Sequence, residues 1–178
     1  MTIVARWRRW LRHRWMDASD SRRAVPDDMA ERLAMRIRAS EVRHTGEVRL
    51  LIEASLPGGY LRRIREPADL QPVIRDRALA WFGRLQLWDT EHNNGVLIYL
   101  LLAERAIEFV ADRGLARQVP PQTWQAIVER LGQRLHGDQT EDGLTQALEE
   151  VSALLVAHFP ADPQAPVHNE QPDDIVRV

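Results

Sequence analysis

Residues 96–111, VLIYLLLAERAIEFVA, decide how the rest of this chain must fold. Val96 to Leu102 is an unbroken apolar run, too short for a helix of its own, with Gly95 in front and Glu104-Arg105 behind. A run of that length between turn signals reads as a strand covered on both faces. From Ala106 to Ala111, Ile107, Phe109 and Ala111 alternate with Glu108, the two-residue period of a second strand. About three residues separate the runs, too few for a crossover, so an antiparallel hairpin is predicted. A buried hairpin brings its entrance and exit to one edge of the sheet. Polar residues crowd both: Asp89, Thr90, Glu91, His92, Asn93 and Asn94 at the entrance, Asp112 and Arg113 at the exit.

Upstream, Pro26-Asp27-Asp28 opens a helix with Met29, Leu33, Ile37 and Val42 as its apolar stripe, running to about Glu41 and broken by His44-Thr45-Gly46. Glu47 to Ser55 is the first strand, with Val48, Leu50 and Ile52 on one face and Leu51 on the other. Pro57-Gly58-Gly59 ends it, and Asp69 caps a helix in which Leu70, Val73, Ile74, Trp81, Phe82 and Leu85 keep a helical period. A helix between two strands is a crossover, so the first strand and Val96–Leu102 should be parallel. Downstream, Pro120-Pro121 opens a helix that stops near Gly137, with Trp124 in its apolar stripe as a core residue. Thr140-Glu141-Asp142 caps the last helix, which reaches Phe159. The fold class is therefore α/β: an αβα sandwich around a central mixed sheet of about four strands, the fourth sought near Leu61 to Ile64 or in the N-terminal region.

Three parts are expected. Residues 1–25 are a basic Trp/Arg-rich amphipathic helix and linker, 26–159 the α/β domain, and 160–178 a Pro-rich acidic tail that is disordered or loosely attached. In the first part Ile3, Val4, Trp7, Trp10, Leu11 and Trp15 share one side of a helix, while Arg8, Arg9, Arg12 and His13 take the other. Tryptophan favours the headgroup level and arginine attracts anionic lipid, so Trp7, Trp10, Leu11 and Trp15 are candidate contacts to an anionic membrane surface or a membrane protein. The competing use is docking on the chain's own domain or on a second copy, giving a homo-oligomer.

Composition narrows the chemistry. The chain has no Cys, which excludes disulfides, thiolate metal sites and a cysteine nucleophile. All 24 basic residues are Arg, which excludes a Schiff-base or phosphate-loop lysine. Residues 1–23 hold seven arginines against two aspartates, leaving the remainder at −7. Nucleic acid is not expected as a partner of so acidic a body. No stretch reaches the roughly 18 apolar residues of a membrane span, and no apolar segment follows the early arginines as in a cleaved signal peptide. A cytoplasmic protein, peripheral at the inner membrane, is expected.

Topology alone brings three loops together. The parallel strands share an edge for their entrances, and the returning strand exits there. Glu41, His44, Thr45 and Glu47 should face Asp89, Glu91, His92, Asn93, Asn94 and Asp112. Carboxylates and amide oxygens concentrated in one place suit a hard cation, Ca2+ or Mg2+, which could activate water or bind a phosphate ester. The metal candidates are Asp89, Glu91, Asn94, Asp112 and Glu41. Bland alternatives stand beside them: Asn93-Asn94-Gly95 is a good turn sequence, Asp112 can cap or pair with Arg113, Gly114 can supply a positive φ, and Glu47 and Glu91 can be solvated. There is no Gly-rich phosphate loop and no serine elbow, so no catalytic residue is assigned.

Thr45-Gly46 before the first strand, Asn93-Asn94-Gly95-Val96-Leu97 entering the central one, and Glu104-Arg105 in the hairpin turn together resemble the TPM domain family of bacteria and plant chloroplasts, which includes thylakoid acid phosphatase and photosystem II repair proteins. The resemblance spans roughly residues 30–159. It implies an α/β sandwich, and it implies phosphatase activity, divalent-ion binding or a part in membrane-protein assembly. It places a site among these loops, at Asp89, Asn94 and Asp112. The resulting expectation is a binding or assembly module at the cytoplasmic membrane face that takes a divalent cation. The alternatives are a metal-dependent phosphatase and a non-catalytic scaffold that self-associates through its N-terminal helix.

Overall fold

The computed structural model describes residues 3–162, 164 and 174–178. It opens with α1 (Ile3–Trp15) and α2 (Ala18–Ala24), where a linker was expected. The local cause of α2 is a capping box: the Asp17 carboxylate accepts from the Ser19 N–H at 2.7 Å, and the Asp20 carboxylate accepts from the Asp17 N–H at 3.0 Å. α3 (Asp27–Glu41) begins just after Pro26 with Asp27 and Asp28 in its first turn, as its sequence predicts. Then come β1 (Val48–Glu53), α4 (Gly58–Leu61), α5 (Leu70–Arg84), β2 (Val96–Leu101), β3 (Ala106–Ala111), α6 (Arg113–Ala116), α7 (Pro121–His136), α8 (Thr140–His158) and β4 (Val176–Arg177). Asp69 stands before α5 but turns its carboxylate back, accepting from the Arg65 and Glu66 N–H groups at 2.8 Å each. Among the described residues no helix is long and apolar enough to cross a membrane.

The sheet is mixed, in the order β3-β2-β1-β4. β1 and β2 are parallel, Val48 opposite Val96, and β2 and β3 form the antiparallel hairpin, Val96 opposite Ala111. Every residue of β1 and β2 is buried; β2 reads as a continuous apolar run for that reason, while β1 also carries the buried Arg49 and Glu53. The two-residue period divides them between two cores. Val48, Leu50 and Ile52 with Val96, Ile98 and Leu100 pack toward residues of α3, α7 and α8. Leu51, Leu97, Tyr99 and Leu101 pack toward Val73, Ile74, Trp81 and Phe82 of α5. Helices therefore cover both faces, and Trp124 packs on the first core, 5.8 Å from the Phe109 ring.

The fourth strand comes from neither place the sequence suggested. It is β4, at the end of a tail expected to be loose. Val176 and Arg177 pair in parallel with Leu51 and Ile52, and Val178 exchanges hydrogen bonds with Ile52 and Ala54 at 3.0 and 2.7 Å. Ile175 enters the core, and the Arg177 guanidinium donates to the Val25 carbonyl at 2.9 Å and meets Asp27 at 2.7 Å. The reason is the edge of β1: a wholly buried strand needs partners for its backbone on both sides. The rest of the tail expectation, at residues 163 and 165–173, lies outside the described residues, as do the side chains of Ile3 and Val4.

Candidate functional site

The parallel register brings the residues before Val48 and Val96 to one edge, and the antiparallel register returns Asp112 there. The backbone locks the loops together: Val96 donates to the Glu47 carbonyl, Asp112 to that of Gly95 and Gly114 to that of Asn93, each at 2.8 Å. Two glycines permit this closeness. A Cβ at Gly95 would sit 2.1 Å from the Leu87 carbonyl oxygen, and one at Gly114 would sit 2.4 Å from that of His92. Gly114 does not supply a positive φ. The left-handed residue of this edge is Asn93, at φ 52°, a conformation asparagine tolerates.

Asn94 and Asp112 each carry a buried side-chain oxygen at this edge. Asn94 is fully buried; its N–H donates to Thr90 Oγ1 and its Nδ2 to Thr45 Oγ1, both at 3.1 Å. Its Oδ1 is buried and accepts no hydrogen bond from the described residues. The Asp112 Oδ1 caps α6 by accepting from the Arg113 N–H at 2.7 Å, while its Oδ2 is buried and also accepts none. Arg113 turns aside, its Nε donating to Asn93 Oδ1 at 2.9 Å. So the cap reading of Asp112 is correct for one oxygen and leaves the other available. Two buried acceptors without donors are an electrostatic debt that a hard cation, with its demand for oxygen ligands, would relieve.

The other expected ligands are placed differently. Asp89 and Glu91 are exposed, and Glu41 is buried at the last turn of α3. Glu47, for which a solvated role was open, is buried as well. Among the described residues no three His, Asp or Glu side chains stand together as a metal-holding group. The donor chemistry at Asn94 and Asp112 fits calcium or magnesium, and water would have to complete the shell. His44 is buried beside this edge, and its ring makes no hydrogen bond of normal geometry with the described residues. Burial pushes its imidazole down to about 4, against a smaller opposing pull from the Gly46 backbone, so the ring is neutral at neutral pH.

The opposite end of the same strands holds polar groups the sequence reading missed. Glu53, last residue of β1, is buried; Arg77 Nε reaches its two oxygens at 3.1 and 3.0 Å, and Trp81 Nε1 and the Tyr99 hydroxyl donate to Oε2 at 2.9 and 2.7 Å. Burial, and then the charge of Glu53, raise the Tyr99 hydroxyl far above its usual range. An acid at the end of a strand rich in Leu and Ile was the signal, since a buried charge demands partners. At the hairpin turn Glu104 takes Arg9 Nε and His13 Nε2, both at 2.9 Å, and Arg12 donates to the Ala103 carbonyl at 2.6 Å. The Leu56 N–H donates to His13 Nδ1 at 2.9 Å, so Nδ1 acts as an acceptor and Nε2 faces Glu104. Burial alone would raise Glu104, but the His13 bond and the charges of Arg9 and Arg12 hold it below the usual carboxylate range. Trp7, Trp10, Leu11 and Trp15 are all exposed. A cavity of about 320 Å3 at this end, lined by Val25, Ile52, Leu102, Ile107 and Leu135 among others, is mostly apolar and lies away from Asn94 and Asp112.

The sequence model of a family described as the TPM domain matches residues 19–154. Among solved structures, the chain is similar to the NMR structure of BA42 protein from the psychrophilic bacterium Bizionia argentinensis, with a TM-score of 0.70 and 21% identity over 85% of this chain and 94% of that one. At that identity the likeness concerns the fold. No curated protein matches the chain.

Proposed function

This chain belongs to the TPM domain family, and from that premise we propose that it is a binding module which takes a divalent cation at the Asn94–Asp112 edge and works at the cytoplasmic face of the inner membrane. What supports the cation is one observation: Asn94 Oδ1 and Asp112 Oδ2 are buried at the convergence of three loops and accept no hydrogen bond from the described residues. Asp112 supplies the charge, Asn94 a neutral oxygen, and the exposed Asp89 or Glu91 side chains can close over an ion with water. Calcium tolerates such an irregular, partly aqueous shell better than magnesium, which demands near-octahedral geometry.

The test is a calcium and magnesium titration of the melting temperature. Ten times the dissociation constant of free ion adds about 1.4 kcal/mol to stability, or roughly 3–6 °C for a domain of this size. Asp112→Asn preserves the helix cap and removes the charge, so it should abolish the shift. Millimolar calcium and magnesium that leave the melting temperature unmoved would sink the proposal. Hydrolysis of a phosphate monoester in the presence of the ion, lost in Asp112→Asn, would convert the module into a metal-dependent phosphatase. A calcium shift without turnover identifies the binding module.

A further inference from the structure

The N-terminal helix is mounted in an unusual way. A helix on a globular domain normally turns its apolar stripe inward. Here the polar side does the docking: Arg9, Arg12 and the 4% exposed His13 contact Ala103, Glu104 and Leu56. At about 100° per residue, Trp7, Trp10, Leu11, Trp15 and Arg14 fall within an arc of roughly 160° on the other side, and Arg8, expected on the polar side, falls within the same arc. The exposures agree: Trp7 is 60% exposed, Trp10 46%, Leu11 44% and Trp15 81%, and Arg8 and Arg14 are exposed as well. Trp7 and Trp10 meet edge to face at 6.0 Å, and the Arg14 guanidinium lies 5.7 Å from the Trp10 ring centre.

We propose that this outward face of α1 docks on an anionic lipid bilayer, and that the polar contacts beneath it fix the domain with the hairpin-turn end of the sheet toward the bilayer. Charge decides the occupant. A two-fold pairing of this face with a second copy would set one arginine-bearing surface against another, whereas an anionic bilayer supplies the counter-charges and a headgroup layer that suits indole rings. The contacts make α1 a mount rather than a tether. Glu104 and Ala103 belong to the β2–β3 turn and Leu56 follows β1, so the helix is keyed to the end of the sheet opposite Asn94 and Asp112. The candidate cation edge is then held away from the membrane surface, open to the aqueous side. This deepens the membrane-face part of the function proposed above and is independent of its cation.

The experiment uses the full chain without divalent ions, with vesicles of phosphatidylglycerol mixed with phosphatidylcholine and with pure phosphatidylcholine vesicles. Binding should favour the anionic vesicles and weaken with salt. Trp7→Ala combined with Trp15→Ala should reduce it at least about tenfold. Both side chains are exposed, so the variant should stay folded. The chain has no Cys, so a single label placed through Arg105→Cys at the turn or His92→Cys at the far edge reports orientation. Headgroup quenchers should reach the first label much more than the second. Equal quenching of the two labels, or vesicle binding unchanged in the tryptophan variant, would overturn the proposal. So would a dimer that the tryptophan substitutions abolish while vesicles are left unbound. The calcium titration of the melting temperature scores the cation separately.

Discussion

At the hairpin-turn end of the sheet, the buried Glu53 and the half-buried Glu104 are met by donors that reach them from other elements; at the opposite edge, Asn94 Oδ1 and Asp112 Oδ2 are buried and meet none among the described residues. Both ends belong to the same parallel strand pair. The contrast separates two uses of a polar group in a fold. A carboxylate whose lone pairs are filled by Arg77, Trp81 and Tyr99 is a structural pin with nothing left to bind a ligand. An oxygen kept from water and from donors raises the energy of the apo protein until a cation or donor arrives. The first kind of site should be costly to break, the second cheap to alter and responsive to ligand.

The largest effect is expected at the filled end. Glu53→Ala leaves the Arg77 guanidinium, the Trp81 N–H and the Tyr99 hydroxyl buried without their acceptor, and should cost about 3–5 kcal/mol in urea unfolding. A cost under about 1 kcal/mol would break the distinction between the two ends.

Acid should next separate the ends by pH. His44 is neutral when folded and binds its proton only near 4, against 6.5 when unfolded. The unfolded state therefore takes up a proton first as the pH falls from 6.5 to 4, and folding stability drops across that window by about 3 kcal/mol at most. Glu104 has a folded pKa held below 4.5, so its contribution is present above 4.5 and is lost below it. Replacing His44 with Gln should flatten the upper window of a pH series of unfolding free energies and leave the lower one. A series in which His44→Gln changes nothing between pH 6.5 and 4 would show that the two ends do not titrate apart.

A smaller loss is expected from the backbone of the open edge. Gly95→Ala forces a methyl against the Leu87 carbonyl and should cost about 1–3 kcal/mol. Gly58→Ala, where a Cβ would meet nothing within 4 Å, is the control and should be neutral by thermal melting. Equal melting temperatures for the two would mean that the loops are not locked as tightly as their hydrogen bonds indicate. The smallest effect is that of Asp112→Asn without added ions, within about 0.5 kcal/mol, because asparagine caps a helix as well as aspartate does. A loss of more than about 2 kcal/mol in the apo protein would place Asp112 with Glu53 among the structural pins.

The hairpin, the parallel pair and the convergence of three loops were legible in Val96–Leu102, in Ile107-Glu108-Phe109 and in the helical period between Leu70 and Leu85. The turn chemistry marked Asn93-Asn94-Gly95 correctly, but two functions proposed for single residues came out otherwise: Asn93 takes the positive φ that Gly114 could have supplied, and Glu47 is buried. α2 had its signal in Asp17 and Asp20, which lie at capping-box spacing.

Sequence by itself determined what depends on residues near one another along the chain. Strand and helix periods, caps and turns place the sheet between helix layers and set which side chains of β1 face which core. Tertiary structure decided what depends on distant partners. His13 binds Leu56 and Glu104, 43 and 91 positions away; Glu53 is filled from α5 and β2; and Val176–Arg177 closes the edge of β1 from the far end of the chain. The helical period of residues 3–15 led to the expectation of two faces on this segment, and the packed molecule decided that Arg9, Arg12 and His13 are the residues of α1 that meet the domain. A hydrophobic pattern specifies that a face exists. Whether it turns inward depends on which long-range hydrogen bonds outweigh its burial.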